Sequence, residues 1–202
     1  LIGYLWIDMQ QAVNIKERII LGIDPGTVVM GYGLVKETGP KIELLAMGVV
    51  KMPATDDQML KLQRIFEKTV ALIDNYHPDC LAIEAPFYGK NIQVMLKLGR
   101  AQGMAIAAAL SRNVEINEYA PRKIKQSITG NGSATKEQVA AMLQSLLKFK
   151  ETPDFLDATD GLAVAVCHSF QRVTTGAGKA GSKKSYSGWD TFVKDNAKRV
   201  IK

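Results

Sequence analysis

Ile19-Ile20-Leu21-Gly22-Ile23-Asp24-Pro25-Gly26 is an apolar run that stops on an acid and then turns. A short run of this kind, closed by Pro-Gly, reads as a strand buried on both faces. Strand alternation puts Gly22 and Asp24 on one face and Leu21 and Ile23 on the other. Leu81-Ala82-Ile83-Glu84 repeats the pattern, with Ala82 and Glu84 sharing a face. An acid at the end of a buried strand is costly unless it is compensated, and a divalent cation is the usual compensation. Asp157 and Asp160 are three residues apart at the start of a C-terminal helical stretch, so they lie on one helical face. Packed on the sheet, that face completes a cage of four carboxylates. Each acid alone has an ordinary reading: Asp-Pro-Gly is turn chemistry, and acids in a first helical turn favour the helix dipole. Their joint occurrence, with Glu84 inside an apolar strand, favours one shared site.

The rest of the chain supplies the frame. After the strand Ile19–Asp24, Gly31–Lys36 and Lys41–Val50 read as two more strands joined by a turn at Gly39-Pro40, an antiparallel meander. Asp56–Tyr76 has apolar residues at helical spacing. Asp79–Glu84 follows as a fourth strand, reached by a helical crossover and so parallel to the first. Asn91–Leu110 reads as a long helix ending in an alanine-rich run, and Val114–Tyr119 as a fifth strand. Pro121–Ile128 starts a short helix with proline in its first turn. Thr135 with Gln138 forms a capping box for a helix to about Phe149. Pro153 and Asp154 open the last helix, which runs to about Arg172. The fold class is α/β: a mixed five-stranded sheet, three strands antiparallel and two parallel, with helices on both faces.

Residues 1–18 read as an N-terminal extension or a misplaced start, residues 19–172 as the catalytic domain, and residues 173–202 as a flexible basic tail rich in Gly, Ser and Lys. No apolar run reaches the length of a membrane span, and the first seven apolar residues are too short for a signal peptide with proper flanks. Cys80 and Cys167 read as small buried hydrophobes in a reducing, cytoplasmic compartment. His77 and His168 lack a metal-ligand pattern and read as surface or packing residues.

The formal net charge is +6. Residues 172–202 hold eight basic residues against two acidic ones, so residues 1–171 are balanced. Within that body, residues 85–136 carry eight basic residues against two acids, Glu115 and Glu118. A basic segment beside an acidic cluster suits a polyanion held over a metal site. Two hard cations with oxygen ligands, roughly 4 Å apart, suit phosphodiester hydrolysis. Mg2+ fits a site built from carboxylates alone, with Mn2+ as its substitute.

Several stretches, in order, carry a resemblance. They are Ile20–Gly26 with Gly31-Tyr32-Gly33; Ala82-Ile83-Glu84 through Phe87 to Lys90-Asn91; Leu96-Lys97-Leu98-Gly99; Lys125-Gln126 with Gly130-Asn131-Gly132-Ser133-Ala134 and Lys136; and Asp157-Ala158-Thr159-Asp160 running into Leu162-Ala163. Together they resemble RuvC, the bacterial Holliday-junction resolvase family of the RNase H-like superfamily, over about residues 19–170. The resemblance implies that Asp24, Glu84, Asp157 and Asp160 are catalytic and bind two Mg2+ per subunit. It implies paired symmetric nicks in a four-way DNA junction during recombination and repair, leaving 5′-phosphate and 3′-hydroxyl ends. It also implies a homodimer and a partnership with the RuvAB branch-migration complex. Phe87 matches a family aromatic that stacks on an unpaired base, with Tyr88 beside it, although residue type alone reads Phe87 as core. Lys125 and Lys136 match family basic positions near the scissile phosphate, Lys90 is expected to bind DNA as well, and Arg122 is expected on its backbone. The Asn91–Leu110 helix is a candidate dimer interface, because alanines allow close helix approach; packing within the chain is the other use for them.

Three alternatives compete. The first is a YqgF-like RNase H-fold nuclease acting on RNA, against which the Phe87 and Lys125–Lys136 matches argue. The second is an actin-like ATPase, suggested by Asp24-Pro25-Gly26-Thr27, but that fold needs a second domain. The third is a junction-binding protein without catalysis, disfavoured because bare carboxylates repel DNA.

Overall fold

The computed structural model describes residues 17–86, 91–150 and 155–176. Four expectations fall wholly or mostly outside the described residues: the N-terminal extension, of which only Glu17 and Arg18 are described and belong to the first strand; the Phe87-Tyr88-Lys90 segment; the helix start at Pro153-Asp154; and the tail, of which only residues 173–176 are described and continue the last helix.

Ten elements follow in order. They are β1 (Glu17–Asp24), β2 (Val29–Thr38), β3 (Lys41–Lys51), α1 (Gln58–Tyr76), β4 (Cys80–Glu84), α2 (Ile92–Leu110), β5 (Glu115–Tyr119), α3 (Pro121–Thr129), α4 (Lys136–Leu147) and α5 (Phe155–Gly176). The sheet order is β3-β2-β1-β4-β5. β1 pairs antiparallel with β2, and β2 with β3; β1 pairs parallel with β4, and β4 with β5. The expected architecture is therefore the one found. β1 is central because Ile20, Leu21 and Ile23 have no polar atoms and are fully buried. β3 takes an edge because it carries charge at Lys41, Glu43 and Lys51, and its register slips opposite Leu34/Val35. Such a bulge twists an exposed edge away from further pairing.

Strand alternation divides the core in two. Ile20, Cys80 and Ala82 pack against Ile124, Val139, Leu143 and Leu162, the face of α3, α4 and α5. Leu21, Ile23, Leu81 and Ile83 pack against Ile65, Leu72, Ala101 and Ala105, the face of α1 and α2. The helices are fixed by their ends. Asp57 caps α1 by accepting a hydrogen bond from the Leu60 N–H, and Asn91 caps α2 through the Gln93 and Val94 N–H groups. The capping box read at Thr135 and Gln138 is present on α4. Gly130, at φ 76°, ends α3 in the left-handed conformation that glycine adopts without strain.

The buried face of α2 uses Ala101, Ala105, Ala108 and Ala109, all fully buried. These alanines pack α2 onto its own chain, so they are not the surface of a dimer. The large apolar residues that α2 exposes are Ile92, Val94, Leu96 and Leu110. Among the described residues, no helix is long and apolar enough to cross a membrane.

Candidate active site

β1 and β4 are neighbouring parallel strands, with Ile23 opposite Ile83. Asp24 and Glu84 therefore end side by side, at the carboxyl edge where α/β sheets hold their ligands. Both share the face of Ile20 and Ala82, which is the face that α5 covers.

α5 reaches that face because glycines let it. A Cβ on Gly22 would lie 2.3 Å from the Gly161 carbonyl oxygen and 2.5 Å from the Ala165 nitrogen. A Cβ on Gly31 would lie 2.1 Å from the Asp157 carbonyl oxygen. Gly31 is also the ladder partner of Asp24. The residue opposite Asp24 in the sheet is thus the one on which the backbone of Asp157 rests. Gly33 is closed off in the same way, by Leu162, whose Cα would lie 2.4 Å from a Cβ there. In the sequence Gly31 and Gly33 are only motif letters, because the close approach of α5 that requires them cannot be paired without knowing the packing.

Lys136, at the start of α4, closes the site. Its Nζ donates to Asp160 Oδ2 and lies 3.7 Å from Asp157 Oδ1. A cavity of about 240 Å³ opens over Asp24, Glu84 and Asp160, walled by Lys125, Lys136 and Ile124. A second of about 510 Å³ shares Asp24, Glu84 and Lys136 and adds Asp157. The four acids read from the sequence are thus brought together, and Lys125 and Lys136 with them. Arg122 is exposed on α3, with its stem over Gly132 and away from both cavities. Phe87, Tyr88 and Lys90 lie outside the described residues.

The electrostatics are those of crowded acids. Burial, then the charge of Asp160, raises the Asp24 pKa from 3.8 to about 7. Burial, then Asp24 and Asp160, raises Glu84 from 4.5 to about 8. Asp160 is also raised, by burial above all, against the pull of Lys136. Burial works against the charged form of Lys136, yet its hydrogen bond to Asp160 and the surrounding acids leave its pKa above the ordinary value. Among the described residues, no three acids, cysteines or histidines are already gathered around one ion-sized point. The Lys136 ammonium stands among the carboxylates as a tethered cation. Hard oxygen donors, partly buried and mutually repelling, fit a hard divalent ion.

His168 belongs to a different cluster. It is buried near the amino ends of β1 and β4, with Arg18 Nη2 3.2 Å and Cys80 Sγ 3.4 Å from its Nε2. Arg18 can only donate, so Nε2 accepts and Nδ1–H donates to Tyr119 Oη at 2.7 Å. This makes His168 a packing residue, as read. His77 is exposed and ends α1 in a left-handed conformation, with φ 47°. Cys80 and Cys167 are buried free thiols.

The model of the family described as "Crossover junction endodeoxyribonuclease RuvC" matches residues 20–168. The crossover junction endodeoxyribonuclease RuvC of Christiangramia forsetii is 57% identical over 191 residues, covering 95% of this chain and 97% of that protein. Its counterpart in Bacteroides fragilis is 55% identical over 188 residues, covering 92% of this chain and 97% of its own length. Among solved structures, that of T. thermophilus RuvC in complex with Holliday junction substrate gives a TM-score of 0.72 at 31% identity, covering 78% of this chain and 96% of that one. On the family match and on identities above half over nearly the whole length, the chain belongs to the RuvC family of crossover junction endodeoxyribonucleases.

Proposed function

We propose that this chain resolves Holliday junctions, acting as a metal-dependent endonuclease that makes paired symmetric nicks in a four-way DNA junction. The observation that carries the reading is the convergence of Asp24, Glu84, Asp157 and Asp160 with Lys136 at the carboxyl edge of the sheet. The family match and the relatives support the junction reading over the YqgF-like one.

Asp24, Glu84, Asp157 and Asp160 are the residues that would hold two Mg2+, or Mn2+ in their place. When bound, the ions would supply water activation and charge stabilisation on the leaving oxygen, for cleavage to a 5′-phosphate and a 3′-hydroxyl. Lys125 and Lys136 hold the scissile phosphate and offset charge that develops on it. Glu84 and Asp24 must be deprotonated to act, so metal binding and proton release are coupled. Phe87 and Tyr88 stack on unpaired bases at the crossover, and Lys90 and Arg122 contact the backbone. The working unit is a homodimer in the cytoplasm, served by the RuvAB branch-migration complex. Residues 19–172 form the resolvase domain, and the basic tail adds non-specific affinity for DNA.

Asp24→Asn tests the reading. The variant should bind a four-way junction as the wild type does and lose magnesium-dependent cleavage, by at least roughly a hundredfold. Undiminished cleavage would remove Asp24 from the mechanism. A panel of four-way junction, duplex DNA and structured RNA separates this activity from that of an RNA-processing enzyme.

A further inference from the structure

The larger cavity at the acid cage has one wall that the cutting chemistry does not use. Val94 and Leu98 are four residues apart on α2 and so lie on one helical face. Val28 faces the same cavity from the bend between β1 and β2. Val28 is 69% exposed and Val94 is 48% exposed. Single exposed valines are ordinary on a protein surface. These two line one cavity with Asp24, Glu84, Asp157 and Lys136. Val28 is held at that edge by its own carbonyl, which accepts a hydrogen bond from Met52 N at 2.9 Å.

The two cavities at the cage share Asp24, Glu84 and Lys136 and differ in size and in what else lines them. The smaller, about 240 Å³, adds Lys125 and the packed side chains Pro121, Ile124, Val139 and Ala163, and its two lysines suit a phosphate. The larger, about 510 Å³, is within the roughly 300–1,000 Å³ of ordinary ligand clefts and adds the exposed Val28 and Val94 with Leu98. A phosphodiester over the acids carries a nucleoside on each side. Its sugar face and base plane are apolar and need a surface of this kind, next to the charged residues that hold the phosphate.

We infer that Val28, Val94 and Leu98 form a nucleoside-packing wall that helps set which base is accepted beside the scissile phosphate. The inference rests on the proposed junction cleavage and adds specificity-determining residues to it. An apolar surface reads a base through its shape and, for thymine, through its methyl group. One methylene more or less in such a pocket changes discrimination by roughly tenfold or more. Because Val28 and Val94 are exposed, shortening them opens no core void, and Val94→Ala keeps a good helix former in α2.

The experiment uses the full-length protein and a set of immobile four-way junctions carrying each base on either side of the mapped cut. Cleavage is read as kcat/KM for every junction, with junction affinity and Mn2+ affinity measured alongside. Val28→Ala and Val94→Ala should change the ratio between the best and the worst base, on one side of the cut, by about tenfold. Junction and metal affinity should stay within about twofold of wild type, because neither side chain holds an ion or a phosphate. Equal loss on every junction, or unchanged ratios, would overturn the wall while leaving junction cleavage intact. A wild-type protein that cuts none of the junctions would overturn both the cleavage reading and the inference built on it.

Discussion

Asp24 and Glu84 hold protons in the folded protein that they would give up in the unfolded chain. Their pKa values rise from 3.8 to about 7 and from 4.5 to about 8, through burial first and mutual repulsion second. A carboxyl with a raised folded pKa favours the folded state on the acid side. The contribution of the cage is therefore greatest near pH 4 and is lost as the pH climbs through about 8. Thermal unfolding without metal should show the Tm falling across that window, by at least about 2–4 °C for each roughly 1 kcal/mol lost. His168 works in the opposite direction. Burial and Arg18 lower its pKa, so its stabilisation is lost as the pH falls below 6.5. Comparing wild type with Asp24→Asn isolates the cage, because His168 is common to both. The variant should have a shallower fall, since it loses one titrating acid and removes the leading charge on Glu84. An equal slope in the two proteins would mean that the cage does not titrate as described. Added Mg2+ should raise the wild-type Tm more at pH 8 than at pH 6, because a carboxyl must lose its proton before it can ligate a cation.

Helix α5 carries Asp157 and Asp160, and its depth in the sheet decides whether they meet Asp24 and Glu84. That depth is set where Gly22 and Gly31 face Gly161, with no room for a Cβ. Gly22→Ala would force backbone apart from backbone, because the nearest atoms are the Gly161 oxygen and the Ala165 nitrogen. Overpacking of this kind costs on the order of 1–3 kcal/mol. A displacement near 1 Å at a catalytic group costs roughly a hundredfold in rate. Gly22→Ala should therefore cleave about a hundredfold more slowly while still binding junction DNA, as read by single-turnover cleavage and by titration of binding. Full-rate cleavage would show that α5 is not positioned by this contact. These elements also mark where sequence reading stops. β1, β4 and the capping box of α4 follow from local patterns of burial, turn and cap, and so do the faces of Asp24 and Glu84. The two-letter spacing of Gly31 and Gly33 is local too, but its meaning is a contact with α5, more than a hundred residues away in the chain. Lys136 shows the same limit. Its match to a basic position named it, while its ion pairs with Asp157 and Asp160 depend on how α4 meets α5.

Two nicks placed symmetrically in a junction need two cutting centres related by a two-fold axis. The described residues of one chain form one acid cage, so a second copy is the natural source of the other. The alanines of α2 are consumed by the core, and the surface that remains on α2 is different from the one the alanine run suggests. Ile92, Leu96, Gly99, Gly103 and Leu110 are all exposed. Their spacing of four, three, four and seven keeps them in one stripe, as the a and d positions of a heptad do. A Cβ on Gly99 or Gly103 would meet nothing within 4 Å. Nothing among the described residues therefore requires glycine there, although each costs the helix roughly 1 kcal/mol relative to alanine. A second α2 crossing closely over these two positions would account for both. Leu96→Asp places a charge in that contact without touching the core, the cage or the capped start of α2. In sedimentation analysis the wild type should run as two chains and Leu96→Asp as one. Gly103→Val tests the close crossing separately: it should raise the helix content of the single chain and weaken its pairing. In the cleavage assay, Leu96→Asp should lose coordinated cutting of both strands before it loses nicking of one. A variant that remains fully dimeric would move the interface off this face of α2.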